Sequence, residues 1–397
     1  MAQSLQTSAF SFRLDRQVDE LGKTTGFLPI IRPTLVEFDE VEAPFREVWR
    51  SGQVTVGKYT RQFEEAVEQT LGVSHAIAVS SCTAGLMLAV KAMELTGEVI
   101  VPSFTFAATV HALVWNGCTP VFADCEEGTY NIDVAQIESL ITKRTSAIMP
   151  VYTYGLPPRL EKIERVAIKH RLKVLSDSAQ GLGAKYKGRP AGGFGFAEVF
   201  SLSPTKVVSA IEGGLVTTNH DELARRIRFM RDYGKAADGC DMEFVGLSAR
   251  LSEFHAIVGL KNFQHLTELV QRRNQLITYY KQQLAALPGI SFQHTPKGSQ
   301  STGNYMVIFV DPQKAGISRD GLYEALHAEG IQTKKYFYPP VHQQTAYGQY
   351  RAGYEGRLPV TERAAQRGLA LPLFSHMDER TIDYICERAK EIVVGRF

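Results

Sequence analysis

The stretch Ala76-Ile-Ala-Val-Ser-Ser-Cys-Thr-Ala-Gly-Leu86 joins an apolar run of strand length to the start of a helical pattern. The same alternation extends from about residue 61 to residue 235, with further strand-length runs at residues 98–102, 120–124, 147–151, 172–177, 199–201 and 214–218. Continuous apolar strands that alternate with helices predict an α/β fold, with a mostly parallel central sheet covered by helices on both faces. Sheets of this kind bind their ligands at the carboxyl ends of the strands, so a ligand site is expected there.

The pattern changes after residue 251. Residues 252–287 have a continuous helical pattern, with a break expected near Asn262 and a stop at Pro288-Gly289. Strand-like and helical segments then follow at residues 304–310, 319–330, 369–373 and 378–394. We therefore predict a loose N-terminal arm (1–27), a large domain (28–251), and a long helix with a smaller C-terminal α+β domain (252–397).

The composition argues against several classes of protein. Across 397 residues, 44 Lys and Arg stand against 42 Asp and Glu, a balance that argues against a dedicated nucleic-acid binder. No apolar run reaches the roughly 18 residues of a membrane span. The five cysteines are odd in number and include no C-x-x-C, and no H-E-x-x-H occurs, so neither a disulfide framework nor a metal site is predicted. A reducing cytoplasm fits this cysteine usage best.

Two strand ends carry residues suited to binding a charged ligand. After the first strand, Ser80, Ser81 and Thr83 stand where free backbone N–H groups at a helix start favour an anion such as a phosphate. The plainer alternative is a helix cap by Ser81 or Thr83. Asp177 ends another apolar strand, where a carboxylate either pairs with a group such as a protonated ring nitrogen or lies in a surface turn.

A third strand end is followed by a lysine. Ser201 and Ser203 precede Lys206, and the turn Glu212-Gly-Gly comes after it. A lysine that forms a Schiff base must lie near a carbonyl in a partly desolvated place, whereas a lysine taken at random is a solvated surface residue. A phosphate site, a carboxylate and a lysine at the strand ends of one sheet match the needs of pyridoxal 5'-phosphate. Phe106 is a candidate for stacking on the ring of this cofactor, with a core position as the alternative.

Three motifs carry a family resemblance: Ser80-Ser-Cys-Thr-Ala-Gly-Leu-Met-Leu, Gly246-Leu-Ser-Ala-Arg-Leu-Ser-Glu-Phe-His-Ala and Lys335-Tyr-Phe-Tyr-Pro-Pro-Val-His342. The chain resembles the sugar aminotransferases of the DegT/DnrJ/EryC1/StrS family from about residue 28 to residue 394. The resemblance implies a fold-type I aminotransferase that uses pyridoxal phosphate. Within the family the chain looks most like enzymes that aminate the 4-position of a dTDP-4-keto-6-deoxyhexose. It keeps Lys206 where dehydratase relatives have histidine, which argues against dehydration.

The resemblance implies roles for the residues around the expected cofactor. Lys206 matches the lysine that forms the Schiff base, and Asp177 matches the carboxylate that faces the pyridine nitrogen. Gln180 matches the amide near the phenolic oxygen of the ring. Cys82 and Thr83 match the positions whose backbone holds the phosphate, although many relatives have glycine in place of Cys82.

Further matches concern the phosphate, the ring face, the substrate and a second subunit. Ser201 matches a hydroxyl on the phosphate, and Phe106 matches the stacked aromatic ring. Ser248 stands where many relatives have an asparagine that reaches the phosphate from the neighbouring subunit, which implies a homodimer with shared active sites. Tyr336 and His342 are candidates for the substrate pocket, with a packed tyrosine and a surface histidine as the alternatives.

The resemblance implies ping-pong transamination with L-glutamate as the amino donor. Lys206 would move a proton as general base and acid, and Asp177 would keep the ring nitrogen protonated. The expected acceptor is dTDP-4-keto-6-deoxy-D-glucose, which would become dTDP-4-amino-4,6-dideoxy-D-glucose. Two alternatives stay open: amination at C3 of a keto sugar or of a keto-cyclitol on the same scaffold, and a regulatory protein that binds pyridoxal phosphate without turnover.

Overall fold

The computed structural model describes residues 26–236 and 238–395, so the predicted N-terminal arm, 1–27, lies almost entirely outside the described residues. The strands of this part are β1 His75–Val79, β2 Glu98–Pro102, β3 Thr119–Ala123, β4 Thr145–Ile148, β5 Lys173–Asp177, β6 Lys185–Tyr186, β7 Arg189–Pro190, β8 Ala197–Ser201, β9 Gly214–Thr218, β10 Ile290–Phe292, β11 Ser299–Gln300, β12 Met306–Val310 and β13 Gly368–Leu371.

The α-helices of the described residues cover both faces of the large sheet and continue into the C-terminal part. They are α1 Asp39–Ser51, α2 Lys58–Leu71, α3 Cys82–Ala92, α4 Ala107–Trp115, α5 Val134–Leu140, α6 Leu160–His170, α7 Asp221–Met230, α8 Glu253–Phe263, α9 Leu266–Leu284, α10 Pro312–Ala315, α11 Arg319–Ala328, α12 Gly348–Tyr354, α13 Pro359–Arg367 and α14 Glu379–Val394. None of them is long and apolar enough to cross a membrane.

The large sheet has the strand order β1-β9-β8-β5-β4-β2-β3. Only β9 runs antiparallel to its neighbours, β1 and β8, and the other neighbouring strands are parallel. The predicted α/β architecture with a mostly parallel sheet is therefore confirmed. Each predicted apolar run overlaps an observed strand, because these segments are buried in the sheet. The run at 147–151 ends early, at Ile148, since Pro150 has no N–H to continue the ladder.

The C-terminal part begins with two helices that the predicted break separates: α8 ends at Phe263 and α9 begins at Leu266. Helix α8 packs on α1 and α2, against the large sheet. Helix α9 joins two cores, since Leu269 packs beneath the large sheet and Tyr280 packs with the smaller sheet β10-β12-β13. This smaller α+β unit matches the expected architecture, while the domain boundary at 251/252 stays a prediction.

Candidate active site

A cleft of about 400 Å³ opens at the carboxyl ends of the parallel strands. Eight of the ten residues proposed from sequence line it, although they come from five separate stretches of chain: Cys82, Thr83, Phe106, Asp177, Gln180, Ser201, Lys206 and Tyr336. Because the carboxyl ends of parallel strands meet at one edge of a sheet, residues distant in sequence converge there. Among the residues that the structure describes, no group of three or more His, Cys, Asp or Glu side chains is placed to hold a metal ion.

One end of the cleft is the start of helix α3. Ser81 is the N-cap, and its hydroxyl accepts a hydrogen bond of 3.1 Å from the N–H of Ala84, so the helix-cap interpretation is correct. The Ser81 cap leaves room for an anion, because the N–H groups of Cys82 and Thr83 lie in the first turn and have no acceptor within the helix. These N–H groups and the positive end of the helix dipole suit a phosphate.

Strand β9 passes close behind this helix start. A Cβ at Gly214 would lie 2.6 Å from the backbone nitrogen of Cys82, so only glycine permits the approach. The Cys82 side chain points away into the core, where Sγ lies 3.8 Å from the carbonyl oxygen of Val199. Burial and the nearby Asp177 raise the pKa of this thiol well above its ordinary value. Cys82 is therefore a protonated packing residue that leaves its backbone N–H for the cleft.

Asp177 ends strand β5 at the floor of the cleft and is 4% exposed. Its Oδ2 accepts a hydrogen bond of 2.6 Å from the Thr109 hydroxyl, and its Oδ1 accepts one of 3.0 Å from the N–H of Ala179. Burial raises the pKa of Asp177, while these two donors and the charge of Lys206 act in the opposite direction. The surface-turn alternative is wrong, and a buried carboxylate of this kind suits a protonated ring nitrogen.

Lys206 lies in the segment between β8 and β9, where its N–H donates a hydrogen bond of 3.0 Å to the carbonyl of Ser203. The side chain is half-buried and lines the cleft, so it is not a solvated surface lysine. Its Nζ lies 5.7 Å from the centroid of the Tyr305 ring. Such a partly desolvated amine, beside a carboxylate and an anion site, has the surroundings that a Schiff-base lysine needs.

Two further residues test whether the cleft fits pyridoxal phosphate. The side-chain Oε1 of Gln180 is buried and has no hydrogen-bond partner among the described residues, so this amide is available to a bound group. Phe106 is 61% exposed on the cleft wall, whereas its neighbour Phe104 is fully buried in the core. The core alternative for Phe106 is therefore wrong. An unused amide and an uncovered aromatic face fit a flat, polar ring between them.

The structure does not bring His342 into this cleft. The ring is 0% exposed, with Nδ1 2.7 Å from the Ser103 hydroxyl and Nε2 3.4 Å from Oε1 of Glu362. Burial lowers the pKa of His342, while Glu362 opposes that shift. The ring also packs against Phe122. His342 is therefore neither a substrate contact in this cleft nor a surface histidine, the two interpretations of the sequence. It is a buried residue with a structural role.

Ser248 does not line the cleft of its own chain either. It is exposed, and its backbone pairs with that of Asp232. Its neighbour Arg250 forms an ion pair of 3.0 Å with Asp232. A residue that reaches the active site of a second subunit would be expected outside its own cleft, so the position of Ser248 leaves that expectation open.

Sequence reasoning missed several residues of the site, and two of them contact or adjoin its charged groups. Thr109, on α4, holds Asp177, and Tyr305, immediately before β12, lines the cleft beside Lys206. Thr109 lies in an apolar helix and Tyr305 in an apolar strand pattern, so each looks like a core residue. A hydroxyl on an otherwise apolar buried segment was the only signal available, because such a group needs a partner.

The sequence profile of the DegT/DnrJ/EryC1/StrS aminotransferase family matches residues 37–390. The chain belongs to this family. The match includes every residue that we placed in the cleft. The resemblance read from the three motifs is thereby confirmed, as are the aminotransferase class and the expected cofactor, pyridoxal 5'-phosphate.

Two curated relatives of this family member cover most of its length. It is 31% identical over 357 residues to the dTDP-4-amino-4,6-dideoxy-D-glucose transaminase of Escherichia coli, which covers 89% of this chain and 96% of the relative. It is 35% identical over 360 residues to the UDP-N-acetyl-3-dehydro-alpha-D-glucosamine 3-aminotransferase of Acidithiobacillus ferrooxidans, which covers 90% of this chain and 95% of the relative.

Solved structures share the fold of this aminotransferase. DesI, analysed in the presence of its TDP-sugar product, superposes with a TM-score of 0.87 at 37% identity and covers 94% of each chain. PseC of Helicobacter pylori, named as an aminotransferase involved in the biosynthesis of pseudoaminic acid, gives a TM-score of 0.86 at 28% identity. The fold-type I architecture is thus confirmed over nearly the whole chain.

Proposed function

We propose that this aminotransferase moves the amino group of L-glutamate to the 4-keto carbon of a nucleotide-linked sugar, converting dTDP-4-keto-6-deoxy-D-glucose to dTDP-4-amino-4,6-dideoxy-D-glucose. The observation that carries the proposal is the meeting of Lys206, Asp177 and the start of α3 in one cleft. The name of the Escherichia coli relative and the TDP-sugar product studied with DesI support the choice of sugar.

Each cleft residue has a defined task in this proposal. Bound pyridoxal phosphate supplies an electron sink for the carbon that loses its proton. Lys206 holds the cofactor covalently and, once released, moves the proton at its Nζ. Asp177 holds a proton on the ring nitrogen, so the ring can accept electron density. The N–H groups of Cys82 and Thr83 bind the phosphate together with the Ser201 hydroxyl.

Other groups orient the ring and meet the sugar. Phe106, on the cleft wall, would cover one face of the cofactor ring, and the unpartnered Gln180 amide would bond its phenolic oxygen. Tyr336 stands on the wall of the cleft, with the Nζ of the exposed Lys334 5.8 Å from its ring centroid. We assign Tyr336 to substrate binding, because a phenol beside a lysine suits the hydroxyl and phosphate groups of a nucleotide sugar.

The amino donor is tested by the visible spectrum of the cofactor-loaded protein before and after L-glutamate is added. The band of lysine-bound pyridoxal phosphate should give way to that of its amine form. A Lys206→Ala variant should lack the first band and turn over no substrate. A Lys185→Ala variant, which changes an exposed lysine outside the cleft, should behave as the wild type. Wild-type rates in Lys206→Ala would refute the assignment.

The acceptor is tested by offering the amine form two keto sugars. Return of the lysine-bound band with dTDP-4-keto-6-deoxyglucose supports amination at C4. A faster return with a UDP-linked 3-keto sugar would favour the C3 reaction, which the 35% identity to the Acidithiobacillus ferrooxidans relative makes the second candidate. A band that responds to neither donor nor acceptor would instead indicate a regulatory protein that binds the cofactor without turnover.

We further propose a homodimer whose active sites are shared, with Ser248 completing the phosphate site of the partner. A Ser248→Glu variant should be inactive because its charge repels the phosphate, while Ser248→Asn should stay active. Mixing inactive Ser248→Glu with inactive Lys206→Ala should restore activity, since one site of a mixed dimer has both native residues. If the mixture stays inactive although mixed dimers form, the sites are not shared.

We place the protein in the cytoplasm. Its five cysteines are all free thiols, four of them buried, which suits a reducing compartment. A nucleotide-linked sugar and L-glutamate are also solutes of that compartment in this proposal. Recovery of the protein from another cell fraction, after expression from its own gene, would contradict the assignment.

A further inference from the structure

Tyr305 lies beside Lys206 in the cleft. It immediately precedes β12, is 9% exposed, and lines the cleft from the side of the smaller sheet. Its ring centroid lies 5.7 Å from Nζ of Lys206 and 4.7 Å from the ring centroid of Tyr336. The phenol therefore lines the cleft beside the lysine of the site, although it belongs to the C-terminal part of the chain.

The charged and titratable groups around Tyr305 come from every element packed on it. Lys206 faces it from the segment after β8, and Tyr336 faces it from the segment before α12. Tyr154 packs edge-on at 6.4 Å, and Arg273 of α9 interacts with it electrostatically. Two of these neighbours are cations and none is a carboxylate, so the surroundings favour a negative charge on the phenol oxygen.

The protonation of Tyr305 follows from these contacts. Burial raises the pKa of the phenol, but the charge of Lys206 and the polar groups of the neighbouring Thr205, Tyr336 and Lys206 side chains outweigh burial, and the net shift is downward. Other buried tyrosines shift the other way: burial raises the pKa of Tyr154 and of Tyr280 well above the ordinary value. Tyr305 therefore differs from them in its partners, not in its burial.

We propose that Tyr305 is the proton partner of Lys206. When the lysine amine is released from the cofactor, the phenol O–H bond breaks and an N–H bond forms at Nζ, leaving a phenolate beside an ammonium group. The reverse transfer returns a neutral amine, which can accept the proton from the amino donor, and no electrons change hands in either direction. Arg273 and the hydroxyls of Tyr336 and Thr205 stabilise the phenolate while it lasts.

This inference rests on the catalytic role proposed for Lys206, but its first test does not require turnover. The full chain is labelled with carbon-13 tyrosine and kept in the pyridoxamine phosphate form, in which Lys206 is free. The Tyr305 signal is identified by its loss in Tyr305→Phe and followed by NMR against pH. It should titrate at lower pH than the other tyrosines, and Lys206→Met should move its titration to higher pH.

Two results of this titration would overturn the proposal. One is a Tyr305 signal that titrates together with the other tyrosines, and the other is a signal that Lys206→Met leaves unmoved. Because the titration measures the pair directly, it stands even if Lys206→Ala keeps its activity and the proposed function fails. The buried Tyr280, whose hydroxyl donates a hydrogen bond to the carbonyl of Pro372, is the matched control. The pH at which its signal titrates should be the same in Lys206→Met as in the wild type.

The second test separates proton transfer from binding. Tyr305→Phe should lower kcat about 100-fold, with little change in the KM for L-glutamate, because the phenol acts on the lysine and not on the donor. Tyr280→Phe should keep the wild-type kcat. A Tyr305→Phe protein with normal kcat and a raised KM would show that the phenol binds substrate, and the proton-partner role would be rejected.

Discussion

The Thr109 hydroxyl donates a hydrogen bond of 2.6 Å to Oδ2 of Asp177, and Thr105 stands behind it with its own hydroxyl 2.7 Å from that of Thr109. With the N–H of Ala179 on Oδ1, both carboxylate oxygens have a fixed donor before any ligand arrives. The carboxylate is thereby held in one orientation at the floor of the cleft. Preorganisation of this kind removes part of the cost of binding a cofactor.

We predict that Thr109→Val weakens cofactor binding. The substitution keeps the shape of the side chain but removes a hydrogen bond to a charged group, worth about 1.5–3 kcal/mol. The Kd for pyridoxal phosphate should rise about 10-fold or more, and the pKa of Asp177 should move further upward. Fluorescence titration of the cofactor measures the change. Thr109→Ser retains the hydroxyl and should bind nearly as the wild type; an equal loss in both variants would assign the effect to packing.

A second prediction concerns the charge of Asp177 itself. Asp177→Asn keeps the size of the side chain and its contact with Thr109 but cannot hold a positive charge on the ring nitrogen. We expect kcat to fall by about 100-fold or more, because the stabilisation of charge in the reacting ring is lost. Single-turnover absorbance after L-glutamate is added measures the step. Unchanged half-reaction rates would show that another group protonates the ring.

The third prediction is about stability. Arg231 and Glu64 form a buried ion pair of 2.5 Å, with side chains 7% and 9% exposed, and both also bond the backbone of Ala78 in β1. Arg231→Met leaves the carboxylate buried without its cation, so the free energy of unfolding should fall by about 3–5 kcal/mol. Denaturant unfolding measures this value.

The matched control for that experiment is an ion pair on the surface. Arg225 pairs with Glu222 at 2.9 Å, but the two side chains are 43% and 60% exposed. Arg225→Met should therefore leave the free energy of unfolding nearly unchanged. Equal losses in both variants would mean that burial of the Arg231 pair contributes nothing.

The fourth prediction is a pH dependence. Burial, together with the charges of Arg32 and Arg273, lowers the pKa of His376 from 6.5 to about 4. Between pH 6.5 and about 4, His376 is protonated in the unfolded chain but neutral in the folded chain. The contribution of His376 to the free energy of unfolding is therefore fully present above pH 6.5 and is lost as the pH falls toward 4. The loss should be about 1–2 kcal/mol, because the partly exposed ring keeps some hydration.

His376→Asn isolates this contribution. The variant should lose part of the wild-type decline in unfolding free energy over the same pH range, as measured by denaturant titrations at a series of pH values. His294→Asn, which changes an exposed histidine, should keep the wild-type slope. If the slopes of the two variants agree, the acid sensitivity arises from other groups.

Much of the fold could be read from the sequence because burial imposes local patterns. Strands covered on both faces are mostly apolar, and all seven strands of the large sheet overlap runs of this kind. The break between α8 and α9 was also visible. Helices α6 and α7 were not singled out, since each is rich in charged residues and buries only a narrow face.

The sequence by itself determined that Lys206, Asp177 and the start of α3 share one edge of a sheet, because in a parallel sheet the strand ends of successive βα units meet there. Only the tertiary structure decided which further side chains complete the site that these residues form. Thr109 reaches Asp177 across 68 positions, Tyr305 reaches Lys206 from the C-terminal part, and His342 is buried against Ser103 instead of facing the cleft. Such contacts join groups whose local sequence is that of ordinary helix, strand or loop, so they exist only once separate segments pack together.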